Sequence, residues 1–186
     1  TDARLLDKIE SLVGPDFGLH HSKLNMKPAK VGSVVDWHQD LTYWGPESDD
    51  PDDVASVWLA LSPATIASGC MRMVPGSHRR GRLAHRETRD PANVLSRGQT
   101  VDVDEAGEAY VLTELQPGQM SIHHGWTLHA SSPNRSTDRR IGFNLDFARP
   151  RVRQVKHIGD LAMLMRGQDR FGNFRLEPRP TGDFAP

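Results

Sequence analysis

Apolar residues near the start of the chain recur at helical spacing. Leu5, Leu6, Ile9, Leu12 and Val13 form one stripe, which predicts a short amphipathic helix over 4–13 that Gly14-Pro15 ends. The pattern then changes to alternation and short apolar runs cut by Gly, Pro, Asn and Asp. It predicts strands over 18–26, 33–39, 54–62, 70–74, 110–114, 119–124, 127–131 and 141–148. The run Val54-Ala-Ser-Val-Trp-Leu-Ala-Leu61 is the strongest, closed by Ser62-Pro63, and Pro117-Gly118 turns the chain into Met120-Ser-Ile-His-His124. A last helix is predicted over Val155 to Met165, and extended coil from Asp169 onward, where Pro178, Pro180 and Pro186 fall. Many short strands with long loops and few helices point to a mostly β fold, a sandwich or distorted barrel such as a jelly roll.

Composition narrows the function classes. The 186 residues are enough for one sizeable core, and a net charge of −1 gives no global field for nucleic acid or an anionic membrane. Cys70 is the sole cysteine, which excludes a disulfide framework and suits a reducing compartment such as the cytoplasm. No stretch approaches the ~20 apolar residues of a membrane span. Thr1-Asp2-Ala3-Arg4 does not resemble a natural start, so the expectation is one domain over 1–186 that lacks an N-terminal portion. Oligomeric state is not legible.

His38-Gln39-Asp40 carries the chemistry. On an extended strand His38 and Asp40 share a face, because side chains alternate with period two. His129, from a strand remote in sequence, would complete two imidazoles and one carboxylate on one side of a metal, the ligand set of non-haem Fe(II) oxygenases. Zinc fits such an open face less naturally. His85-Arg86-Glu87 repeats the triplet in a basic, irregular segment and reads as a solvated loop. His123 and His124 are rival distal ligands; alternation favours His124 lining the site and His123 facing out. An open metal face could take a bidentate 2-oxo acid and dioxygen, and the acid's remote carboxylate then needs a cation. Arg140 lies on the polar face of the last strand, and Ser131 shares the His129 face. Gln39 should point away from the metal as support. Met71, Met73 and Cys70 read as packing, Pro75-Gly76-Ser77-His78 as a turn, and Trp37, Tyr43 and Trp44 as either pocket wall or core.

Four motifs in order, over roughly residues 20 to 150, carry a resemblance: Trp37-His-Gln-Asp-Leu-Thr-Tyr-Trp-Gly45, Trp58-Leu-Ala-Leu61, Gly69-Cys-Met-Arg-Met-Val-Pro-Gly-Ser-His78, and His129-Ala-Ser-Ser-Pro-Asn-Arg-Ser136 with Arg140. Together they resemble the phytanoyl-CoA dioxygenase family of Fe(II)/2-oxoglutarate oxygenases. The resemblance implies a double-stranded β-helix (jelly-roll, cupin-like) with a few flanking helices. It implies iron on His38, Asp40 and His129, and the 2-oxoglutarate tail on Arg140 and Ser131. Trp58 would lie beside the cosubstrate, with Lys23 or Leu24 as a further contact. Relatives that halogenate replace the carboxylate ligand with a small residue, so Asp40 favours hydroxylation. The expected reaction is hydroxylation of a small metabolite with dioxygen, releasing succinate and CO2. A non-catalytic jelly-roll binder, or a cupin-type metal enzyme that does not use 2-oxoglutarate, are the alternatives.

Overall fold

The computed structural model describes residues 2–30, 33–44, 46–47, 53–87, 93, 99–105, 107–154 and 160–182. In chain order, α1 (Ala3–Val13) leads into β1 (Phe17–Lys27) and β2 (Val35–His38). A single helical turn, α2 (Leu41–Trp44), and β3 (Pro46–Glu47) precede β4 (Val54–Ala60) and β5 (Met71–Met73). Next come β6 (Arg86–Glu87), β7 (Gln99–Thr100), β8 (Val111–Thr113), β9 (Met120–His124) and β10 (His129–Ser131). The last described strands are β11 (Arg140–Ala148), β12 (Arg153–Gln154), β13 (Leu161–Arg166) and β14 (Arg175–Leu176). The fold is of the mostly β, cupin-like class read from the sequence, built mainly from antiparallel pairs.

The chain divides into two compact units. The first comprises residues 1–22, 44–56 and 145–186. Its helix α1 starts at Asp2, whose carboxylate accepts from the Arg4 amide at 2.9 Å, and buries Leu6, Ile9 and Val13. Gly14, at φ +89°, ends it. β13 pairs antiparallel with the start of β1 (Leu19 opposite Met163), and β14 pairs parallel with β13. Asp53 has no exposed surface and is gripped by the Arg151 guanidinium at 2.7 and 2.9 Å.

The sequence predicted a helix where β13 lies. Leu, Ala and Met are strong helix formers, but propensity is a weak term beside a ladder of backbone bonds to β1. Residues 155–159, the first part of that predicted helix, lie outside the described residues.

The second unit comprises residues 23–43 and 57–144. It contains a four-stranded sheet in the order β2-β10-β5-β8. Trp37, Val74, Val101, Leu128 and Ala130 pack as one buried cluster, and Trp58, Ala60, Ala64, Cys70 and Met71 as another. Trp37 is therefore core, with its indole N–H on Glu105 at 2.7 Å. The Trp44 side chain lies outside the described residues.

Candidate metal centre

β10 runs antiparallel to β2 so that His129 stands directly opposite His38, their ring centroids 4.1 Å apart. This cross-strand register brings together two imidazoles far apart in sequence. β2 ends at His38, and Asp40 opens the turn into α2, where its carbonyl accepts from the Tyr43 amide at 2.9 Å. The turn delivers what strand alternation was expected to deliver. Asp40 Oδ1 lies 3.5 Å from His38 Nε2 and 3.6 Å from His129 Nε2. One donor atom from each of the three residues lies within 4.8 Å of the other two.

The tautomers suit a cation. His38 Nδ1 donates to the Asp36 carbonyl at 2.8 Å and His129 Nδ1 to the Thr127 carbonyl at 2.9 Å. Each Nε2 is therefore the ring nitrogen that faces Asp40, and the backbone fixes the ring orientation. Burial, with His38 alongside, pushes the His129 imidazole down to about 3, so it is neutral near pH 7. Burial alone would raise the Asp40 carboxyl, but the neighbouring His129, His123 and His38 hold it well below the ordinary carboxylate range.

Gln39 supports rather than reacts. It has no exposed surface; its amide donates to the Gly81 and Trp126 carbonyls, each at 2.8 Å, and its oxygen accepts from the Leu83 amide. His85 Nε2 accepts from the Gln39 backbone amide at 3.3 Å, so the competing triplet braces this segment. Arg86 and Glu87 are exposed. Tyr43 meets the His38 ring edge-on at 5.8 Å.

The rival histidines reverse the expectation. His123 is buried and donates from Nε2 to Asp40 Oδ2 at 3.2 Å, whereas His124 lies near His78, 5.3 Å between rings. Strand alternation requires only that one of the pair faces in, and that one is His123.

A second cluster holds buried positive charge. Arg140 is 4% exposed, donates from Nη1 to the Gly69 carbonyl at 2.7 Å, and lies over the Trp58 ring at 5.0 Å. Burial lowers its guanidinium to about 10. Gly69, at φ +77°, and Gly142 make this packing possible. A Cβ on Gly69 would lie 2.2 Å from the Ser132 carbonyl oxygen, and one on Gly142 would lie 1.9 Å from the Trp58 ring.

The cation on β1 is Lys27 rather than Lys23. Lys23 is exposed and Leu24 is 62% exposed, while Lys27 is 4% exposed and donates to the Ser131 and Ser132 carbonyls at 3.0 and 2.6 Å. Burial, then Arg140 and Arg72, lower the Lys27 amine to about 7. Asn134 Nδ2 clamps the Lys27 carbonyl at 3.0 Å and the Asp138 carbonyl at 2.8 Å. Its position in the Ser-Pro-Asn-Arg-Ser segment gives it this structural duty, which the sequence reading did not assign.

Neither Lys27 nor Arg140 pairs with an acid among the described residues. Arg140 Nε and the Ser131 hydroxyl are buried without a hydrogen-bond partner. Buried polar groups are ordinarily satisfied, so this cluster has the donors and positive charge to receive an anion with several acceptor oxygens. A carboxylate fits it, as the His-Asp-His donor set fits a transition-metal ion.

Comparisons with known proteins agree with this geometry. The family model described as phytanoyl-CoA dioxygenase matches residues 2–142. A probable alpha-ketoglutarate-dependent hypophosphite dioxygenase of Stutzerimonas stutzeri is 34% identical over 139 residues, covering 74% of this chain. The chain spans 47% of that relative's length. Among solved structures, the non-heme monooxygenase ThoJ superposes with a TM-score of 0.82 at 40% identity, over 97% of this chain and 64% of that one. EvdO2 of Micromonospora carbonacea var. aurantiaca, complexed with 2-oxoglutarate, gives 0.65 at 27% identity, over 83% of this chain and 62% of its own.

Proposed function

The chain belongs to the phytanoyl-CoA dioxygenase family, and from that premise we propose that it acts as an Fe(II)- and 2-oxoglutarate-dependent dioxygenase hydroxylating a small-molecule metabolite. The observation that carries this is the meeting of His38 Nε2, His129 Nε2 and Asp40 Oδ1 in one buried cluster. In this reading His38, Asp40 and His129 would hold Fe(II). Iron with 2-oxoglutarate and dioxygen supplies an oxidant strong enough for a C–H bond, and succinate and CO2 are released.

The remaining work belongs to the protein. Arg140 and the Ser131 hydroxyl take the tail carboxylate of 2-oxoglutarate, and Lys27 adds a second buried positive charge, on the strand where the family resemblance points to Lys23 or Leu24 as a further contact. Trp58 backs the Arg140 guanidinium and fixes its plane, so the cosubstrate docks in one orientation. His123 holds the outer oxygen of Asp40 and leaves Oδ1 for the metal. With Asp40 occupying its position, hydroxylation is the proposed outcome rather than halogenation.

Succinate formation from 2-oxoglutarate under Fe(II) and air tests the reading. The native chain is expected to decarboxylate 2-oxoglutarate at a slow uncoupled rate that Asp40→Ala abolishes. Metal-dependent turnover of a substrate with no need for 2-oxoglutarate would point instead to a cupin-type enzyme and overturn the proposal.

A further inference from the structure

The first unit contains a second cluster of the same donor types. His20 and His21 on β1 meet Asp160, which stands just before β13, and one donor atom from each lies within 4.8 Å of the other two. Adjacent strand residues ordinarily point to opposite faces, yet these two rings lie 3.8 Å apart between centroids. The His20 side chain is only 3% exposed. Its Nδ1 donates to the Leu161 carbonyl at 3.3 Å, so its Nε2 presents a lone pair toward Asp160. The same carbonyl-to-imidazole device orients His38 and His129.

The spacing is informative. His20 Nε2 lies 3.9 Å from Asp160 Oδ2, too long for a hydrogen bond. One cation with bonds of about 2.0–2.2 Å to each would bridge that gap with little movement. Phe174 packs edge-on to the His20 ring at 5.4 Å and holds it from the other side. Asp160 is 32% exposed and His21 is exposed, so two of the three donors reach the surface.

We propose that His20, His21 and Asp160 bind one borderline divalent transition-metal ion, such as Zn(II) or Ni(II), and so tie β13 to β1. Two imidazoles exclude Mg(II) and Ca(II), which take oxygen ligands. The site shares no residue with the His38 cluster, and its existence does not depend on the oxygenase reading.

The test is metal stoichiometry. The full chain, stripped of metal, is titrated with Zn(II) by calorimetry at neutral pH, with metal analysis after dialysis. Two equivalents are expected for the native chain, one for His38→Ala, and one for the pair His21→Gln with Asp160→Asn. Asp160 is partly exposed and His21 exposed, so the pair avoids the unfolding that loss of the buried His20 ring invites. Combining the pair with His38→Ala is expected to leave none. The comparison of the paired variant with its own parent is decisive whatever His38 does. Loss of one equivalent, or a tenfold or greater weakening of one, supports the site. An unchanged count and affinity overturns it.

Discussion

Asp40 divides its two oxygens between two duties: Oδ1 faces both metal-oriented imidazoles, and Oδ2 accepts from His123. Asp40→Ala should therefore remove both turnover and tight metal binding. His123→Phe leaves the three donors in place but frees the carboxylate to rotate. It should weaken Fe(II) binding by about 10–100-fold, the usual effect of losing an outer-shell partner, as measured by equilibrium dialysis. Unchanged affinity would contradict the positioning role. Arg140→Ala removes a charge-assisted bond of about 1.5–3 kcal/mol, so the KM for 2-oxoglutarate should rise roughly 10–100-fold. An unchanged KM rules that assignment out.

Lys27 adds a pH signature. Its amine is lowered to about 7 by burial and by Arg140 and Arg72, and a carboxylate docking beside it raises that value again. Binding then takes up a proton at any pH between the free and bound values, so 2-oxoglutarate affinity should fall as pH rises above about 7. The fall should flatten in Lys27→Met, read by calorimetry on Ni(II)-loaded protein. A pH-independent affinity in the native chain would sink the assignment.

At the scale of elements, register carries the site. His129 opposes His38 only because β10 pairs with β2 in this frame, and Ser77 Oγ, which accepts from the Leu128 amide at 2.8 Å, anchors the approach to it. On β11 the tolerance is small. Gly142→Ala drives a methyl group into the Trp58 ring and should cost about 1–3 kcal/mol, overpacking of a tight core. That lowers the melting temperature by roughly 2–4 °C per kcal/mol for a chain of this size. A melting temperature equal to the native one would show that the ring moves aside freely.

The same scale explains what the sequence made legible. Val54–Ala60, an apolar run closed by Ser62-Pro63, and Arg140–Ala148, which alternates, are marked by pattern and turn residues, and each is found where expected. β13 was not, because Leu161-Ala-Met-Leu-Met carries helix formers in an order that only pairing with β1 overrides. Lys27 goes unnamed in the sequence reading, and His123 is read there as facing out, for a related reason. Each sits near a residue of similar chemistry, Lys23 or His124, and only burial separates the members of each pair.

At the scale of the whole molecule, no helix among the described residues is long and apolar enough to cross a membrane. The chain covers about half of the Stutzerimonas relative it matches, yet every proposed iron ligand and cosubstrate contact falls within the unit of residues 23–43 and 57–144. That unit should respond to ligands by mass action. Saturating 2-oxoglutarate added to Ni(II)-loaded protein, at about 100 times its Kd, should add about 2.7 kcal/mol to stability. A thermal melt should show this increment in the native chain and only about 0.4–1.4 kcal/mol in Arg140→Ala, whose affinity is expected to be roughly 10–100-fold weaker.

The most direct measurement is the visible spectrum of the protein under anaerobic Fe(II) and 2-oxoglutarate. A chelate held by two imidazoles and one carboxylate gives a weak metal-to-ligand charge-transfer band. The native chain should show it at one iron per chain, and Asp40→Ala and His129→Ala should not. No band in the native chain, or an equal band in both variants, contradicts the account.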